Sequence, residues 1–428
     1  MSDSGPAAPR KSPRLAREAT SGEVVTIRSI AAGGDGIASL ADGRTVFVPR
    51  TTPGDVVRLD NVRIHRRFAR ARAAELITAG PGRTAVPCPH YVADRCGGCQ
   101  LMHLDLSTQR AVKSRIIGDA LRRLGGVEIA DPEVVPAPAA LGYRTKVTFT
   151  VQDGVIGYHR QGQAGDVFEV RRCLLMDQKL DGLHQQLRGA RDLLPGDVEQ
   201  VVLRLDGRAG RHVIIRTAGN GAWTDSEEFA ARMPPGATVW WHPKGGAPRA
   251  MAGSESAWPA TVFEQVNPPM AAEIRSRALR LLTRDLAPGA VVWDLYAGIG
   301  ESTAILAVQG YRASSVEIDP RAVALAEERG PAGPDRRAGD VAELVGRLPA
   351  PVAILANPPR TGMAPGAVAG IVRSGARRLV YISCDPATMA RDIRGLADGW
   401  GVVSVTGFDQ FPETAHVEVV AVLEVRIE

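Results

Sequence analysis

The sequence predicts an α/β chain in three blocks: a doubly wound, mainly parallel sheet in the C-terminal half, a small β-barrel near the N-terminus, and a mixed α+β region between them. Three observations predict it. From about residue 260, helices alternate with the apolar runs VVWDLYAG, ASSVEID, VAILANPP, RRLVYISCD, GVVSVTGFDQ and HVEVVAVLEV, the pattern of a sheet covered on both faces. Between Glu23 and about Ile77 lie the short β runs EVVTIRSI, GRTVFVPR, DVVRLDNVRI and ARAAELI. Turn signals separate them at Gly33-Gly34-Asp35-Gly36, Ala41-Asp42-Gly43 and Thr52-Pro53-Gly54-Asp55. Finally, the five cysteines divide four to one between the middle of the chain and the C-terminal block.

The first 20 residues are small, polar and Pro-containing, and are expected to be a disordered tail. They hold no apolar stretch of the signal-peptide kind, and no run elsewhere approaches the roughly 20 apolar residues that span a bilayer. The expected location is the cytoplasm, where close cysteines bind metal or do chemistry rather than pair. Residues 21–78 are expected to form the barrel, and small barrels of short strands are a common nucleic-acid platform. The formal charge of +5 is built from five Lys and forty-seven Arg against the acidic residues. It is densest at residues 63–72, RIHRRFARAR, where five Arg and a His surround one Phe. A stripe so basic points to a polyanionic partner, a solvated charged strand being the plain alternative.

Residues 79–258 are the expected central region. An amphipathic pattern from about Leu106 to Leu124, ended by Gly125-Gly126, predicts a helix that packs on the C-terminal domain. Beyond it, YRTKVTFTVQ, VIGYHRQ, VEQVVLRLDG and RHVIIRTAG predict strands, with a helix near 176–192. Residues 259–428 form the doubly wound domain.

Cys88, Cys96 and Cys99 cluster as C-x7-C-G-G-C, and Cys173 lies far enough downstream to close a four-thiolate site in the fold. Cys384 stands alone in Y-I-S-C-D-P. The division predicts one metal centre and one nucleophile, against the plain alternative that a lone cysteine after an apolar run is a small core residue. Four thiolates bind zinc as readily as an iron–sulfur cluster, and spacing alone favours zinc.

In open α/β sheets, ligands bind beyond the carboxyl ends of the strands. The first C-terminal strand ends in D-x-x-x-G-x-G, where Gly298 and Gly300 let the backbone approach a ligand closely. The loop lacks the third Gly of the dinucleotide fingerprint. Glu317 and Asp319, ending the next strand, are placed to accept ribose hydroxyls. S-adenosylmethionine is therefore expected rather than NAD. Asp340 is placed to meet the adenine, Asn357-Pro358-Pro359-Arg360 lies where methyltransferases position the reacting group, and Gln265 can reach the cofactor from F-E-Q-V-N-P. Cys384 ends the fifth strand. Thr414, His416 and Glu418 recur at period two, so they are expected on one face of a last strand beside it.

C-x7-C-G-G-C with Cys173, F-E-Q-V-N-P, D-L-Y-A-G-I-G, N-P-P-R-T-G, Y-I-S-C-D-P and F-P-E-T-A-H-V-E occur here in the order found in the uracil-5 RNA methyltransferases. From about residue 23 to 428 the chain resembles the branch carrying an N-terminal TRAM barrel and a [4Fe-4S] cluster. The resemblance implies a class I methyltransferase domain with a Rossmann-like sheet and an OB-like TRAM barrel. It implies a cluster on Cys88, Cys96, Cys99 and Cys173, which reverses the preference for zinc. It implies S-adenosylmethionine held by Gln265, Tyr296, Gly298, Gly300, Glu301, Glu317, Asp340 and Asn357, Cys384 as nucleophile and Glu418 as base. The chain departs from the family pattern in three places. The first cysteine gap is seven residues rather than the usual five, Asn357 stands where the family commonly has Asp, and Glu301 where some relatives have Asn. An amide at 357 still donates and accepts hydrogen bonds, yet carries no charge.

C5 of uracil is a poor nucleophile. A thiolate adding to C6 converts the ring to an enolate whose C5 attacks an electrophilic methyl, and a carboxylate then removes the C5 proton so that the thiolate can leave. Cys384 and Glu418 are expected in these roles, His416 as an orienting group, and the Cys384 thiol with a pKa lowered by nearby donors or Arg side chains. The base must be flipped out or taken from a loop. The expected partner is RNA, large-subunit rRNA before the tRNA T-loop, for a monomer with no membrane contact. Three other classes fit less well. Cytosine-5 RNA methyltransferases usually place Cys after the Pro-Pro motif, where Arg360 stands; amino-group methyltransferases need an aromatic residue at that same place; and a non-catalytic RNA-binding factor would lose the cofactor loop, which is intact.

Overall fold

The computed structural model describes residues 22–208, 210–253 and 264–426, and the chain divides into two compact units, 1–83 and 84–428. The expected N-terminal tail, Phe263 and the expected boundary near residue 258 lie outside the described residues.

In the first unit six strands form one curled sheet in the order Val24–Thr26, Val56–Ile64, Phe68–Thr78, Thr45–Val48, Gly36–Ser39, Ser29–Ile30. Its two edges are neighbours in sequence. Val24–Thr26 pairs with residues 56–58, the Ile27 N–H still bonds to Asp55 O, and the Arg28 N–H already bonds to Ile37 O, so one bent segment serves both ends of the sheet. Alternation along the strands turns Val46, Val48, Val57, Leu59, Ala69 and Ala71 into the core. The loop before Val56 is pinned by the buried Asp55 carboxylate, which accepts from Thr52 N–H, Gly80 N–H and the Arg83 guanidinium. Burial alone would raise its pKa, but these donors hold it below the usual carboxylate range. The same alternation leaves Arg63, Arg70 and Arg72 exposed on the strands of the Val56–Ile64/Phe68–Thr78 hairpin, and Arg66 and Arg67 are exposed in its turn. Arg63 lies opposite Arg70, and His65 stacks on Phe68 at 4.5 Å between ring centres.

The second unit holds two sheets. One is seven-stranded, in the order Gln163–Glu169, Val155–Arg160, Lys146–Gln152, Val198–Leu205, Arg211–Thr217, Ala237–Pro243, Arg249–Ala252, antiparallel except where Arg211–Thr217 and Ala237–Pro243 run parallel. The helix Gln178–Gly189 covers one face through Leu180, Leu183 and Leu187. Four of these strands and the helix fall on the runs read from sequence; Gln163–Glu169, Ala237–Pro243 and Arg249–Ala252 do not.

The other sheet has eight strands in the order Asp335–Ala338, Arg312–Glu317, Val291–Leu295, Ala353–Ala356, Arg378–Ser383, Glu418–Val425, Trp400–Phe408, Val134–Val135. The first five are parallel, and order reverses between Val291–Leu295 and Ala353–Ala356, the place where such sheets open a crevice for ligands. Glu418–Val425 inserts antiparallel beside Arg378–Ser383, with Ser383 opposite Val419. The two-residue strand Val134–Val135 extends this sheet from well before the domain. The helix Leu106–Ala120 shares its core, Ile117 and Leu121 packing with Trp293, Tyr381 and Leu423. One sequence expectation needs correcting. The last strand begins only at Glu418, so Thr414 lies in the preceding turn, donating to Phe411 O, and is not on a strand face with Glu418. Among the described residues no helix is long and apolar enough to cross a membrane.

His184, on Gln178–Gly189, is buried with both ring nitrogens unpartnered and stacks on Phe149 at 4.6 Å. Burial, then Arg188, push its pKa down to about 4. The folded value lies below the unfolded one, so the unfolded chain takes up the proton first, and stability present above pH 6.5 is lost as pH falls toward 4. Thermal melts of wild type and His184→Leu at both ends of that range should show the wild type losing on the order of 2 kcal/mol more than the variant. Parallel losses would exclude this residue as the source.

Candidate active site

Beyond the carboxyl ends of the parallel strands runs a groove of about 2010 Å³. A single small-molecule site occupies roughly 300–1,000 Å³, so this groove has room for a cofactor and a second reactant.

One end is built by the loop after Val291–Leu295. Tyr296, Gly298 and Gly300 all have left-handed backbone conformations (φ 62°, 56° and 73°), which lets the chain turn sharply into the helix Glu301–Val308. A side chain at Gly300 would stand 2.9 Å from Ala326 Cβ. Beneath the loop Asp294, buried and raised to about 6 by that burial, accepts from Thr303 Oγ1 at 2.6 Å. Glu317 lies across the turn, accepting from Gly298 N–H and Asp319 N–H, both at 2.9 Å, with lone pairs still available to a hydroxyl-bearing ligand. Of the residues expected at the cofactor, Gln265, Tyr296, Gly298, Glu301, Glu317, Asp340 and Asn357 line the groove, as does Asp319; Gly300 shapes the turn from behind. Asp340 caps the helix Val341–Leu344 and Glu301 is ion-paired to Arg275 at 2.7 Å, a partner the sequence pattern did not reveal.

At the other end, Cys384 follows Arg378–Ser383 and stands two residues before the helix Pro386–Leu396, whose first N–H groups are capped by Asp385. Arg360 donates to its sulfur. That guanidinium is presented by the loop 357–363, which the buried Asp392 carboxylate ties down: Oδ2 accepts from Met363 N–H and the Tyr381 hydroxyl, each at 2.7 Å. Glu418, 2 % exposed, faces the same pocket with Oε2 unpartnered. Burial pushes its pKa up to about 8, with Arg360 opposing. The Cys384 thiol is likewise pushed up, by burial first and Glu418 second, against the pull of Arg360. This corrects the expectation of a depressed thiol. The expected arginine is present, and desolvation outweighs it. His416 lines the pocket from the turn before Glu418, its pKa held down by burial and by Arg360.

The remaining thiols, Cys88, Cys96, Cys99 and Cys173, line a separate cavity of about 330 Å³. They bound it rather than converge on a point, for among the described residues no group of three His, Cys, Asp or Glu side chains is arranged to hold one metal ion. Backbone N–H groups point at the sulfurs, from Gly98 to Cys96 at 3.4 Å and from Leu175 and Met176 to Cys173. Burial and the neighbouring thiols push Cys99 well up. Arg144 lines this cavity with its Nε buried and unpartnered, and it also lines the groove. Sequence reasoning missed Arg144, Arg275 and Asp392, and saw Arg360 only as a departure from other motifs. A partner distant in sequence leaves no local signature.

A five-stranded parallel run with a glycine-turned ligand loop at its switch point, and a thiol, a guanidinium and a carboxyl at the next strand ends, defines a methyltransferase of the class I fold. Residues 350–426 match the family model described as tRNA (Uracil-5-)-methyltransferase. Over 93% of its length the chain is 32% identical to the 23S rRNA (uracil(1939)-C(5))-methyltransferase RlmD of Pseudomonas putida, covering 92% of that protein. It is 31% identical, over 94% of its length and 97% of the relative, to an RNA methyltransferase of Gloeobacter violaceus. The Pyrococcus abyssi tRNA (uracil-54, C5)-methyltransferase, solved with S-adenosyl-L-homocysteine, shares the fold with a TM-score of 0.72 at 21% identity, over 94% of this chain and 99% of that one. The chain belongs to the RNA uracil-5-methyltransferase family: it is an S-adenosylmethionine-dependent enzyme that methylates C5 of uracil in RNA.

The opposed influences on the thiol are separable. Glu418→Gln should lower, and Arg360→Gln raise, the pH midpoint at which iodoacetamide alkylates Cys384, by about one unit each. Peptide mass spectrometry over a pH series from about 7 to about 12 reads both midpoints. Shifts of the opposite sign would refute the electrostatic account.

Proposed function

We propose that the enzyme methylates a uridine of large-subunit rRNA through a covalent bond between Cys384 and C6 of the base. The observation that carries the covalent route is the meeting, in one pocket at the end of the cofactor groove, of the Cys384 thiol, the Arg360 guanidinium and the buried Glu418 carboxyl.

S-adenosylmethionine supplies a methyl group made electrophilic by its sulfonium. Gln265, Tyr296, Gly298, Glu301, Glu317, Asp340 and Asn357 would hold it, with Gly300 setting the turn. Cys384, as thiolate beside Arg360, adds to C6 and makes C5 nucleophilic. After transfer Glu418 takes the C5 proton, the electron pair re-forms the C5–C6 double bond, and the thiolate leaves. His416, on the turn before Glu418, lines the pocket with Arg360 and orients the base. The N-terminal unit, read as a TRAM-like barrel, grips RNA backbone through Arg63, Arg66, Arg67, Arg70 and Arg72. Large-subunit rRNA is preferred because two relatives at 31–32% identity, covered over more than nine-tenths of their length, are named as 23S rRNA (uracil(1939)-C(5))-methyltransferases.

The second cavity fits a [4Fe-4S] cluster on Cys88, Cys96, Cys99 and Cys173. Four sulfurs around a roomy cavity suit a polynuclear centre, whereas zinc draws four ligands to about 2.3 Å from one point. The N–H groups at Cys96 and Cys173 and the orphaned Arg144 Nε are donors that buried anionic sulfur needs. Bound there, the cluster supplies structure, tying the segment after the barrel to the central sheet.

Cys384→Ala should abolish transfer of labelled methyl to RNA, whereas Glu418→Gln should still form a covalent complex with the RNA and fail to turn over. Nucleoside analysis after incubation with 23S rRNA and tRNA should place the label in 5-methyluridine of the rRNA; label confined to tRNA overturns the substrate, and full activity of Cys384→Ala overturns the mechanism. Glu418, pushed up to about 8 by burial, serves only as carboxylate and only after the methyl has moved, so kcat should rise as pH is raised through about 8. Protein purified without oxygen should be brown, with about four irons per chain; stoichiometric zinc in colourless protein excludes the cluster.

A further inference from the structure

The turn between Trp400–Phe408 and Glu418–Val425 carries two walls of the pocket, Phe411 and His416, and delivers Glu418 to it. Its interior is not apolar. Asp409, Gln410, Glu413 and Thr414 are all buried, and Glu413 holds a left-handed backbone (φ 69°) that a non-glycine residue adopts only under constraint. The constraint comes from far away in sequence. Lys113, 0 % exposed on the helix Leu106–Ala120, donates to Asp409 Oδ1 at 2.5 Å and to Phe411 O at 3.0 Å. One turn earlier on that helix, Gln109 accepts from Glu413 N–H at 2.9 Å and donates to its carboxylate at 3.0 Å. Pro412 O accepts from the Tyr143 hydroxyl, and Glu413 O from the Gln100 and Leu101 N–H groups.

We propose that Lys113 is a positioning residue for the proton-removal step, clamping the Asp409–Phe411 backbone so that the turn delivers the Glu418 carboxyl to a fixed place in the pocket. A buried ammonium bonded to one carboxylate would serve stability no better than an apolar pair of equal volume, and the conversion of both to hydrophobic residues is often neutral. Lys113 does more than neutralise Asp409: its second bond goes to the carbonyl of the residue that forms the pocket wall, and no hydrophobic substitute makes that bond. The thiol is held separately, by the Arg378–Ser383 strand, the capped helix after it and the Asp392-tied loop. Loosening the turn therefore spares addition of the thiolate and delays removal of the C5 proton. This rests on the assignment of Cys384 and Glu418 made above.

The experiment uses the whole enzyme with cofactor and a uridine-containing RNA hairpin, and follows two quantities: turnover, and the fraction of RNA held covalently on denaturing gels. Lys113→Met should lower turnover at least tenfold while the covalent fraction at steady state rises, because adduct forms and resolves slowly. Because a lone buried Asp409 destabilises the fold, the decisive variant is Lys113→Met with Asp409→Leu, which carries no unpaired charge. It should melt near the wild-type temperature, bind cofactor as wild type does, and still accumulate adduct. Turnover restored to wild type in the double variant, or slowed in either variant without adduct accumulation, overturns the proposal. Wild-type enzyme that forms no covalent complex with the same hairpin carrying 5-fluorouridine overturns instead the underlying Cys384 assignment, so the two failures are told apart.

Discussion

Two acids share one pocket: burial makes both harder to ionise, Glu418 adds to the pressure on Cys384, and Arg360 is the cation that opposes both. The arrangement is costly for a resting protein and useful for a covalent methyl transfer, which needs the two groups as anions in different steps rather than together. A nucleophile must be ionised when the base arrives and a proton acceptor only after the methyl has moved. A pocket that discourages two simultaneous negative charges keeps the pair from being fully ionised before substrate enters. The unpartnered Glu418 Oε2 fits the same logic, since a buried oxygen already satisfied by the protein would be a weaker base.

The pair exists because of one topological feature. Had the last strand extended the sheet in parallel at an edge, its start would lie at the opposite end from Cys384. Inserted antiparallel beside Arg378–Ser383, Glu418–Val425 begins where the cysteine strand ends, with Ser383 opposite Val419. The hairpin turn that leads into it then becomes a wall of the site. An antiparallel insertion also lengthens the sheet, and its far side is finished by Val134–Val135 and the helix Leu106–Ala120, both supplied by chain that precedes the domain. The central segments are thus part of the catalytic core's packing and not merely attached to it.

The parts legible in sequence are those governed by local rules. Continuous apolar runs between helices are strands buried on both faces, and the glycines after Asp294 are a turn that only their conformations permit. Tyr296, Glu317, Asp340, Asn357 and Cys384 were recognisable because each ends a strand or follows one directly or closely. What was not legible depended on distant partners. Lys113 sits in an ordinary amphipathic pattern and would be read as a solvated charge; its burial follows from Asp409, nearly 300 residues later. The alternation of Thr414, His416 and Glu418 read as strand, yet Pro412 and the left-handed Glu413 make a turn there, so the period of two was coincidental until Glu418. The sign of the thiol's shift was missed for a related reason, as sequence displays Arg360 and conceals the desolvation that outweighs it.

The four-thiol cavity and the active-site groove are separate spaces with a common partition. Gly98, Arg144, Glu264 and Val266 line both. A glycine at that place leaves backbone alone between the two, and the neighbouring Gly97 approaches His159 O so closely that a Cβ would stand 3.2 Å from it. The segment carrying Cys96 and Cys99 continues directly into Gln100 and Leu101, whose N–H groups bond to Glu413 O in the turn before Glu418. The spacing of the thiols is therefore set against the same turn that forms the pocket wall. Upstream of this partition, between Cys88 and Cys96, the chain turns through a short helix at Pro89–Val92 and a left-handed Arg95.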